Sequence, residues 1–407
     1  MPRRIIIIFS IIGVLILVSE YYTFQALKIA TKFKFLKWAV LFVSVLMYAN
    51  FFYTVLSMDR GGGQTIQFQW AFAWLLIALV PKLVVFVLLF GEDVVRGVQK
   101  GVSFFSANNI PLRGRRKFLS QLALVLSSIP FSGLLYGIIK GRYNYKVIKY
   151  NVTFADLPEA FDGFTITHIS DIHSGSFTNK NKIQYGVDLI NQQKSDVILF
   201  TGDVVNNFAK EMDSWITVFK QLEAPMGKFS VLGNHDYGDY SEWKSPEEKA
   251  ANFQEIKNIH PKIGFDLLLN EHRYLEKDGQ KIALIGVENW GKGFNKAGNL
   301  QKASQGVAKA DFKILMTHDP SHWEYKVKKD DFNYHLSLCG HTHGLQFGIE
   351  IPGYIKWSPA QYIYKQWAGL YEHLGRYVNV NRGFGYHAFP GRVGIWPEIT
   401  VIKLKKA

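Results

Sequence analysis

The stretch LSLCGHTHGLQFG, residues 336–348, places His341 and His343 one residue apart behind an apolar run. Imidazole is a common ligand of Zn, Fe and Mn, yet a lone His-x-His also occurs in ordinary solvated turns. The pair therefore predicts a metal site only if the fold brings further ligand residues to it.

Four other short segments offer such ligands, namely DIHSG, TGDVVNN, GNHDYG and THDP. Two neighbouring divalent ions need a bridging carboxylate, terminal N and O ligands, and open positions for water and substrate. A mixture of imidazole and carboxylate favours Mn, Zn or Fe, because Mg and Ca sites use mostly oxygen. Asp203, in a Gly-Asp turn, is the natural bridge. The full set of candidate ligands is Asp171, His173, Asp203, Asn234, His318, His341 and His343.

The elements that must position these residues are six predicted strands, FTITHIS, DVILF, KFSVL, KIALIG, FKILM and HLSLC. They alternate with polar, helix-compatible stretches, a pattern typical of a layered α/β domain. In open α/β sheets, ligands bind beyond the carboxyl ends of the strands, where loops converge. Five of the six runs are followed by Asp, Asn or His beside a turn residue. We therefore expect the candidate ligands to line one cleft.

The chain before residue 140 is dominated by four apolar stretches, 5–27, 38–58, 68–90 and 118–139. Each reaches the roughly 20 residues that a helix needs to cross a bilayer core. The first could be a cleaved signal peptide, but it lacks a clear cleavage site and three more spans follow, which favours an anchor. The sequence therefore predicts N-terminal transmembrane α-helices over residues 1–141, about four in number, followed by a catalytic α/β domain over 142–407.

The basic residues of the loops predict the orientation. Segments 28–37 and 96–117 are rich in Lys and Arg, whereas the short GGG loop has only Arg60. This asymmetry favours an extracytoplasmic catalytic domain in a bacterial-type inner or cell membrane, although Arg3, Arg4 and the basic residues of 140–149 oppose it. The segment RGRRKFL, which begins at Arg113, is either similar to a twin-arginine export signal or an ordinary run of basic residues that stays in the cytoplasm. Both interpretations predict the same orientation.

The net charge of the chain indicates which classes of partner it can bind. The net charge of +14 favours phospholipid surfaces, phosphorylated substrates or nucleic acid. The spans favour the first two, and without a separate basic arm no nucleic acid partner is expected. Within the third span, Lys82 is an intramembrane charge that could pair with Glu20, snorkel, or be buried in the bundle.

The order Asp-x-His, Gly-Asp, Gly-Asn-His-Asp, His, Gly-His-x-His resembles the calcineurin-like metallophosphoesterase family. The texts LPEAFDGFTITHISDIHSG, MTHDP and GLYEHLGRYVNVNRGFGYHAFPGRVGIWPEI are similar to its membrane-associated branch, which includes bacterial twin-arginine-exported phosphodiesterases and UDP-diacylglucosamine pyrophosphatases. The resemblance covers roughly two thirds of the chain, from about residue 144 to the end. It implies a four-layer α/β/β/α sandwich and hydrolysis of a phosphoester or pyrophosphate bond by metal-activated water.

The resemblance also implies a role for each residue. One ion would be held by Asp171, His173 and His343, the other by Asn234, His318 and His341, and Asp203 would bridge them. His235 would donate a hydrogen bond to the phosphoryl oxygens and a proton to the leaving alkoxide, while Asp236 would hold its imidazole in position. The sequence departs from many relatives at Asn206 and Leu345, which concerns substrate fit.

The substrate is predicted only by class, as a lipid-linked or nucleotide-containing phosphate. Segment 351–371 is dense in Tyr and Trp, with Lys356 and Lys365, and suits either a surface that receives an anionic lipid or a loop packed on the sheet. Arg382 is either a phosphate contact or part of a structural salt bridge.

The alternatives to an enzyme of this kind are a catalytically silent metal-bearing module, which the complete ligand set disfavours, and a nuclease. The other histidines lack motif neighbours. We expect His168 in the core, and in surface or supporting positions His272, His322, His335, His373 and His387.

Overall fold

The computed structural model describes residues 3–58, 63–104, 115–351 and 353–407. The chain divides into two compact units, one made of Met1–Met58 and Gln67–Tyr136, the other of Asp59–Ile66 and Gly137–Ala407. The predicted domain boundary between residues 141 and 142 stays a prediction. Arg60 and Arg113, which entered the prediction of orientation, lie outside the described residues.

Four long helices form the first unit: α1 (Arg3–Ala30), α2 (Leu36–Ser57), α3 (Ile66–Phe104) and α4 (Arg115–Ile139). Each is long and apolar enough to cross a bilayer, which confirms the four predicted spans. Helix α3 continues through Pro81 and past the predicted end of its span at residue 90, along the polar stretch GEDVVRGVQKG to Phe104. Half of the apolar 18-residue stretch of α3 is buried, whereas 17–28% of the corresponding stretch is buried in the other three helices. Helix α3 is therefore the most enclosed of the four.

The charge in the middle of α3 has protein partners. Lys82 is buried, and its ammonium group contacts the Glu20 carboxylate of α1 and the Ser44 hydroxyl of α2. The Tyr48 hydroxyl donates to the same Glu20 carboxylate over 2.9 Å. A charge at membrane depth needs such partners. Lys82 is therefore buried in the bundle and paired with Glu20.

Two six-stranded sheets form the centre of the second unit. In spatial order the first contains β1 (Lys146–Phe154), β14 (Glu398–Lys406), β2 (Thr165–Ile169), β3 (Val197–Phe200), β4 (Lys228–Ser230) and β5 (Asp266–Leu267). The second contains β12 (Gly369–His373), β13 (Arg376–Val380), β9 (Leu336–Cys339), β8 (Lys313–Met316), β7 (Gln280–Gly286) and β6 (Glu271–Lys277). A separate hairpin pairs β10 (Ile349–Ile351) with β11 (Ile355–Trp357).

Five helices complete the unit: α5 (Lys180–Asn191), α6 (Ile216–Phe219), α7 (Pro246–Lys262), α8 (Leu300–Ala303) and α9 (Pro320–Tyr325). Apolar residues of both sheets, such as Leu199 and Ile314, form one core between them. Residues of α5, α6 and α7 pack on the outer face of the first sheet, and Ala303 and Trp323 pack on the outer face of the second. This order of layers is the expected four-layer α/β/β/α sandwich.

All six predicted strands are present, as β2, β3, β4, β7, β8 and β9. Strands β2, β3 and β4 are parallel neighbours in the first sheet, and β7, β8 and β9 are parallel neighbours in the second. Because parallel strands end at the same edge of a sheet, the loops that follow each trio emerge together.

Candidate metal centre

Five of these strands are followed by the predicted ligands. The loops after β2, β3 and β4 leave the first sheet, and those after β8 and β9 leave the second. In chain order they carry Asp171 and His173, Asp203, Asn234, His318, and His341 with His343. Two sheets, rather than one, therefore supply the residues of the cleft.

The backbone of these loops is strained in a consistent way. Five predicted ligands have positive φ angles, between 49° and 71°, in a region that non-glycine residues seldom adopt; they are Asp171, His173, Asp203, His341 and His343. Neighbouring glycines allow the close approach that results. A Cβ atom on Gly340 would lie 2.3 Å from Asp171 Oδ2, and one on Gly233 would lie 2.2 Å from Asp203 Oδ1. Such strain is characteristic of functional sites.

One cluster consists of Asp171, His173 and His343, all buried. Asp171 Oδ1 lies 3.1 Å from His343 Nε2 and 3.9 Å from His173 Nε2. His343 Nε2 has no hydrogen-bond partner among the described residues, although it faces the carboxylate. Three potential ligand atoms within 4.8 Å of one another, one of them a buried nitrogen without a partner, fit a cation between them.

The second cluster consists of Asp203, His318 and His341. Asn234 belongs with it, because its Oδ1 lies 3.1 Å from His318 Nε2 and 2.7 Å from His341 Nδ1. The Asn234 amide is oriented by its NH₂ group, which donates to the Tyr240 hydroxyl over 2.7 Å. The arrangement turns a carboxylate, an amide oxygen and two imidazoles toward one point.

Asp203 stands between the clusters. Its Oδ2 lies 3.6 Å from His173 Nε2, in the first cluster, and 3.1 Å from His318 Nε2, in the second. Its Oδ1 accepts from the His235 backbone N–H over 2.8 Å. The Asp203 carboxylate is therefore within reach of both clusters, as a carboxylate that would bridge two ions must be.

In His318 and His173, a hydrogen bond at Nδ1 leaves Nε2 as the nitrogen that is free to bind a cation. His318 Nδ1 lies 2.7 Å from the carbonyl oxygen of Thr201, and His173 Nδ1 lies 3.1 Å from Asn206 Oδ1. Donation by each Nδ1–H to these oxygens leaves the Nε2 lone pair for a cation, as is common for metal-binding histidines.

The protonation states of the rings are also suited to cation binding. Burial lowers the pKa of His173, His341 and His343, so these rings are neutral. Burial lowers the pKa of His318 as well, but the carboxylates of Asp203 and Asp171 and the hydrogen bond to the Thr201 carbonyl together raise it by more, to about 10. Cation binding would therefore displace a proton from His318.

His235 lies beside the clusters with a different orienting partner from the expected one. Its Nδ1–H donates to the carbonyl oxygen of Asn206 over 2.8 Å. The Asp236 carboxylate, expected at that position, instead accepts from the backbone N–H groups of Asp203, Val204 and Gly233. The reason is local: residues 234–237 form a 3₁₀ turn, whose adjacent side chains point in different directions. The imidazole of His235 is thus oriented by the carbonyl oxygen of Asn206 and not by the carboxylate of Asp236.

Comparisons with known proteins show the family of the chain. A family model described as Probable Calcineurin-like phosphoesterase, transmembrane domain, matches residues 3–142, and one described as Calcineurin-like phosphoesterase matches residues 164–345. The Uncharacterized metallophosphoesterase YkuE of Bacillus subtilis (strain 168) is 31% identical over 306 residues, which cover 72% of this chain and 97% of that protein. The chain belongs to the calcineurin-like metallophosphoesterase family.

Some relatives of this metallophosphoesterase are named as transmembrane proteins, and others are not. Transmembrane protein with metallophosphoesterase domain, of Danio rerio, is 27% identical and matches over 70% of this chain and 62% of its own length. Phosphodiesterase YaeI of Escherichia coli (strain K12) is 24% identical over 71% of this chain and 98% of its own length. The chain is accordingly a metal-dependent phosphoesterase with a membrane region.

Several residues of the metallophosphoesterase cleft were not found from the sequence. His387 was assigned to a surface or supporting position, but its ring lies 4.5 Å from that of His235 and 4.9 Å from that of His173, centroid to centroid. Tyr364 approaches His341 Nε2 with its hydroxyl at 2.8 Å. Asp319 Oδ2 lies 3.6 Å from the same nitrogen. Of these, only Asp319 stood beside a predicted ligand in sequence.

Arg382, the predicted phosphate contact, is buried between two carboxylates. Its guanidinium pairs with Glu398 and with Glu350, the latter at 2.6 Å. These pairs correspond to the salt-bridge alternative, because a direct phosphate contact would require one carboxylate to be displaced. His168, expected in the core, is buried there between Thr201 and Asn379.

Proposed function

We propose that this metallophosphoesterase is a membrane-anchored hydrolase that cleaves a phosphoester or pyrophosphate bond at two divalent transition-metal ions, Mn, Zn or Fe. The observation that carries the proposal is the position of Asp203 between two clusters of buried ligand atoms. Asp171, His173 and His343 would hold one ion, and Asn234, His318 and His341 would hold the other. When bound, the ions supply an activated water at neutral pH and offset charge on the phosphoryl oxygens.

His235 acts on the substrate in this proposal. Its Nδ1–H remains with the carbonyl of Asn206, so the ring is held with Nε2 available to the cleft. In the imidazolium form Nε2 donates a hydrogen bond to a phosphoryl oxygen and then a proton to the leaving alkoxide. Asp236 acts indirectly, because its carboxylate joins the loops that carry Asp203 and His235.

The substrate is proposed to be a lipid-linked or nucleotide-containing phosphate, because the same chain carries four helices long and apolar enough to cross a bilayer. The membrane is proposed to be a bacterial-type inner or cell membrane, with the catalytic domain on its extracytoplasmic face. The basic segments 28–37 and 96–117 support this orientation.

The test is hydrolysis of bis-p-nitrophenyl phosphate and p-nitrophenyl phosphate by the purified full-length chain with added Mn²⁺, together with elemental analysis. We expect turnover that a chelator abolishes and two transition-metal ions per chain. Activity that is unaffected by chelation, in protein without transition metal, would contradict the dimetal mechanism. Metal without turnover of either ester would instead favour a silent binding module.

A further inference from the structure

An apolar surface lies uncovered next to the metal centre. It is formed by the β10–β11 hairpin and the turn after it, and we name it the hairpin surface; its members are Ile349, Ile351, Tyr354, Ile355, Trp357, Tyr362 and Ile363. Tyr354 is 88% exposed and Tyr362 is 76% exposed. Exposed apolar surface concentrated in one place marks a site of contact with a partner or a membrane.

The hairpin is built with its apolar side outward. In the antiparallel register Ile349 is opposite Trp357 and Ile351 is opposite Ile355, so these four side chains share one face. The alternate residues Glu350 and Lys356 occupy the other face. A hairpin covering a water-soluble domain shows the reverse alternation, with apolar residues toward the core. The pattern here is that of a hairpin whose outer face is not meant for water.

The charged residues of the hairpin are engaged by the protein. Glu350 pairs with the buried Arg382 at 2.6 Å, and Lys356 donates to the carbonyl oxygen of Ala368 over 2.5 Å. Lys365, farther along, pairs with Glu324 at 3.1 Å. The two lysines that suggested an anionic lipid therefore have protein partners, and the outward face is left to Ile, Tyr and Trp.

The hairpin surface is fixed near the residue at which the last membrane helix ends. Gly137, in the last turn of α4, accepts from the Arg392 N–H over 3.1 Å. The next residue, Val393, accepts from the Gly348 N–H over 2.9 Å and donates to the Gln346 carbonyl over 2.8 Å. Gly348 directly precedes β10. Gly137, which belongs to the second unit, is thus joined to the start of the hairpin through two adjacent residues of the same unit.

The same segment is continuous with the metal centre. His343 lies six residues before the start of β10, and Tyr364, just after Ile363, reaches His341 with its hydroxyl. We propose that the hairpin surface docks into the interfacial layer of the membrane that anchors the chain, and that the metal centre thereby acts on phosphate groups of amphiphiles held in that layer. The docking to the membrane is independent of the proposed function, whereas the action on phosphate groups of amphiphiles rests on it.

Because Ile, Trp and Tyr form the surface, docking requires no anionic lipid; Trp and Tyr are favoured at the membrane interface through their amphipathic rings. The test of docking uses the full-length chain in phosphatidylcholine nanodiscs. A Tyr354→Cys variant is labelled with nitrobenzoxadiazole, and Cys339, which is buried, stays unlabelled. Leu374→Cys is the matched control: Leu374 is 84% exposed, in the turn before β13, at the end of the second sheet away from the metal centre.

We expect blue-shifted emission, quenched by spin-labelled lipid, from the label at residue 354, and emission typical of water at residue 374. Aqueous emission at both positions overturns docking, and so does quenching that is equal at both. Docking that occurs only when phosphatidylglycerol is added overturns the claim that apolar and aromatic side chains are sufficient for docking. Protection of residue 354 only in discs that hold two chains would assign the surface to a second copy instead.

The catalytic consequence is tested with two esters that share one reacting group, hexadecyl p-nitrophenyl phosphate in the discs and methyl p-nitrophenyl phosphate in solution. We expect kcat/KM to favour the hexadecyl ester by about tenfold or more, because membrane partitioning raises its effective concentration. An Ile351→Ser/Tyr354→Ser/Ile355→Ser variant should lose this preference while turnover of the methyl ester is unchanged. An equal preference in the variant overturns the inference. Failure of the unmodified chain to cleave either ester refutes the proposed function, while the fluorescence result still decides docking.

Discussion

Replacing His235 with alanine separates metal binding from proton transfer. The substitution removes the Nδ1–H donation to Asn206 and the ring that lies 4.4 Å from Tyr240, but none of the ligand atoms of either cluster. The loss of one half-buried hydrogen bond costs about 0.5–1.5 kcal/mol of the free energy of unfolding. We therefore expect both ions to remain bound and the chain to stay folded.

The effect on the reaction should be much larger. A positioned acid or base contributes about 10²–10⁴-fold, which corresponds to about 2.7–5.5 kcal/mol of the activation barrier. The loss should fall mainly on kcat, because the proton is needed as charge builds on the leaving oxygen. It should be smaller for p-nitrophenyl esters, whose leaving group needs little protonation, than for an alkyl phosphate.

The assay compares kcat for both ester types with metal content and thermal stability. His272→Ala is the matched control, because His272 is also half-buried and its Nδ1 lies 3.2 Å from a backbone carbonyl, that of Ala303. The control should keep full activity. If His235→Ala loses one ion per chain, His235 is a ligand. If it cleaves the alkyl phosphate at the original rate, His235 has no part in proton transfer.

Three further outcomes follow from the structure. Alkaline phosphatase fused after residue 145 should be active, and a fluorescent cytoplasmic reporter at the same point dark; the opposite pair would reverse the proposed orientation. Lys82→Met should lower the stability of the membrane unit by about 3–5 kcal/mol, since the mostly enclosed Glu20 carboxylate keeps its hydrogen bond from Tyr48 but loses its cationic partner, and adding Glu20→Leu should restore it in thermal unfolding of the detergent-solubilised chain. Asp203→Asn should lose most of its activity and at least one ion in elemental analysis, whereas an active variant with two ions would show that Asp203 does not bridge.

The sequence predicted the strands that carry ligands better than it predicted the rest of the fold. Strands such as β3 and β8 are short, fully buried and followed by a turn residue, so a local pattern identified them. Strands β1 and β14 pair with each other although some 250 residues separate them, and no local pattern encodes that pairing. The division of the predicted cleft between two sheets was likewise invisible, because it depends on how the sheets pack.

Within the site, ligand positions followed from strand ends, but contacts between side chains did not. The family resemblance led to the expectation that Asp236 holds His235. The structure gives that contact to Asn206, whose carbonyl receives His235 and whose side chain receives His173. His387 approaches both histidines from a segment more than 150 residues away in sequence. Such contacts arise from tertiary packing, for which a single sequence carries no signal.

The strained ligand loops are held by hydrogen bonds from backbone N–H groups to two buried carboxylates. Each non-glycine residue with positive φ costs on the order of 1 kcal/mol, and such a conformation persists only where the surroundings enforce it. Here Asp236 accepts from three backbone N–H groups of the loops after β3 and β4, and Asp171 accepts from the His341 N–H across the two sheets, at 3.0 Å. These carboxylates fix the loops through backbone contacts that need no cation. Two carboxylates thus tie together the loops that carry the candidate ligands.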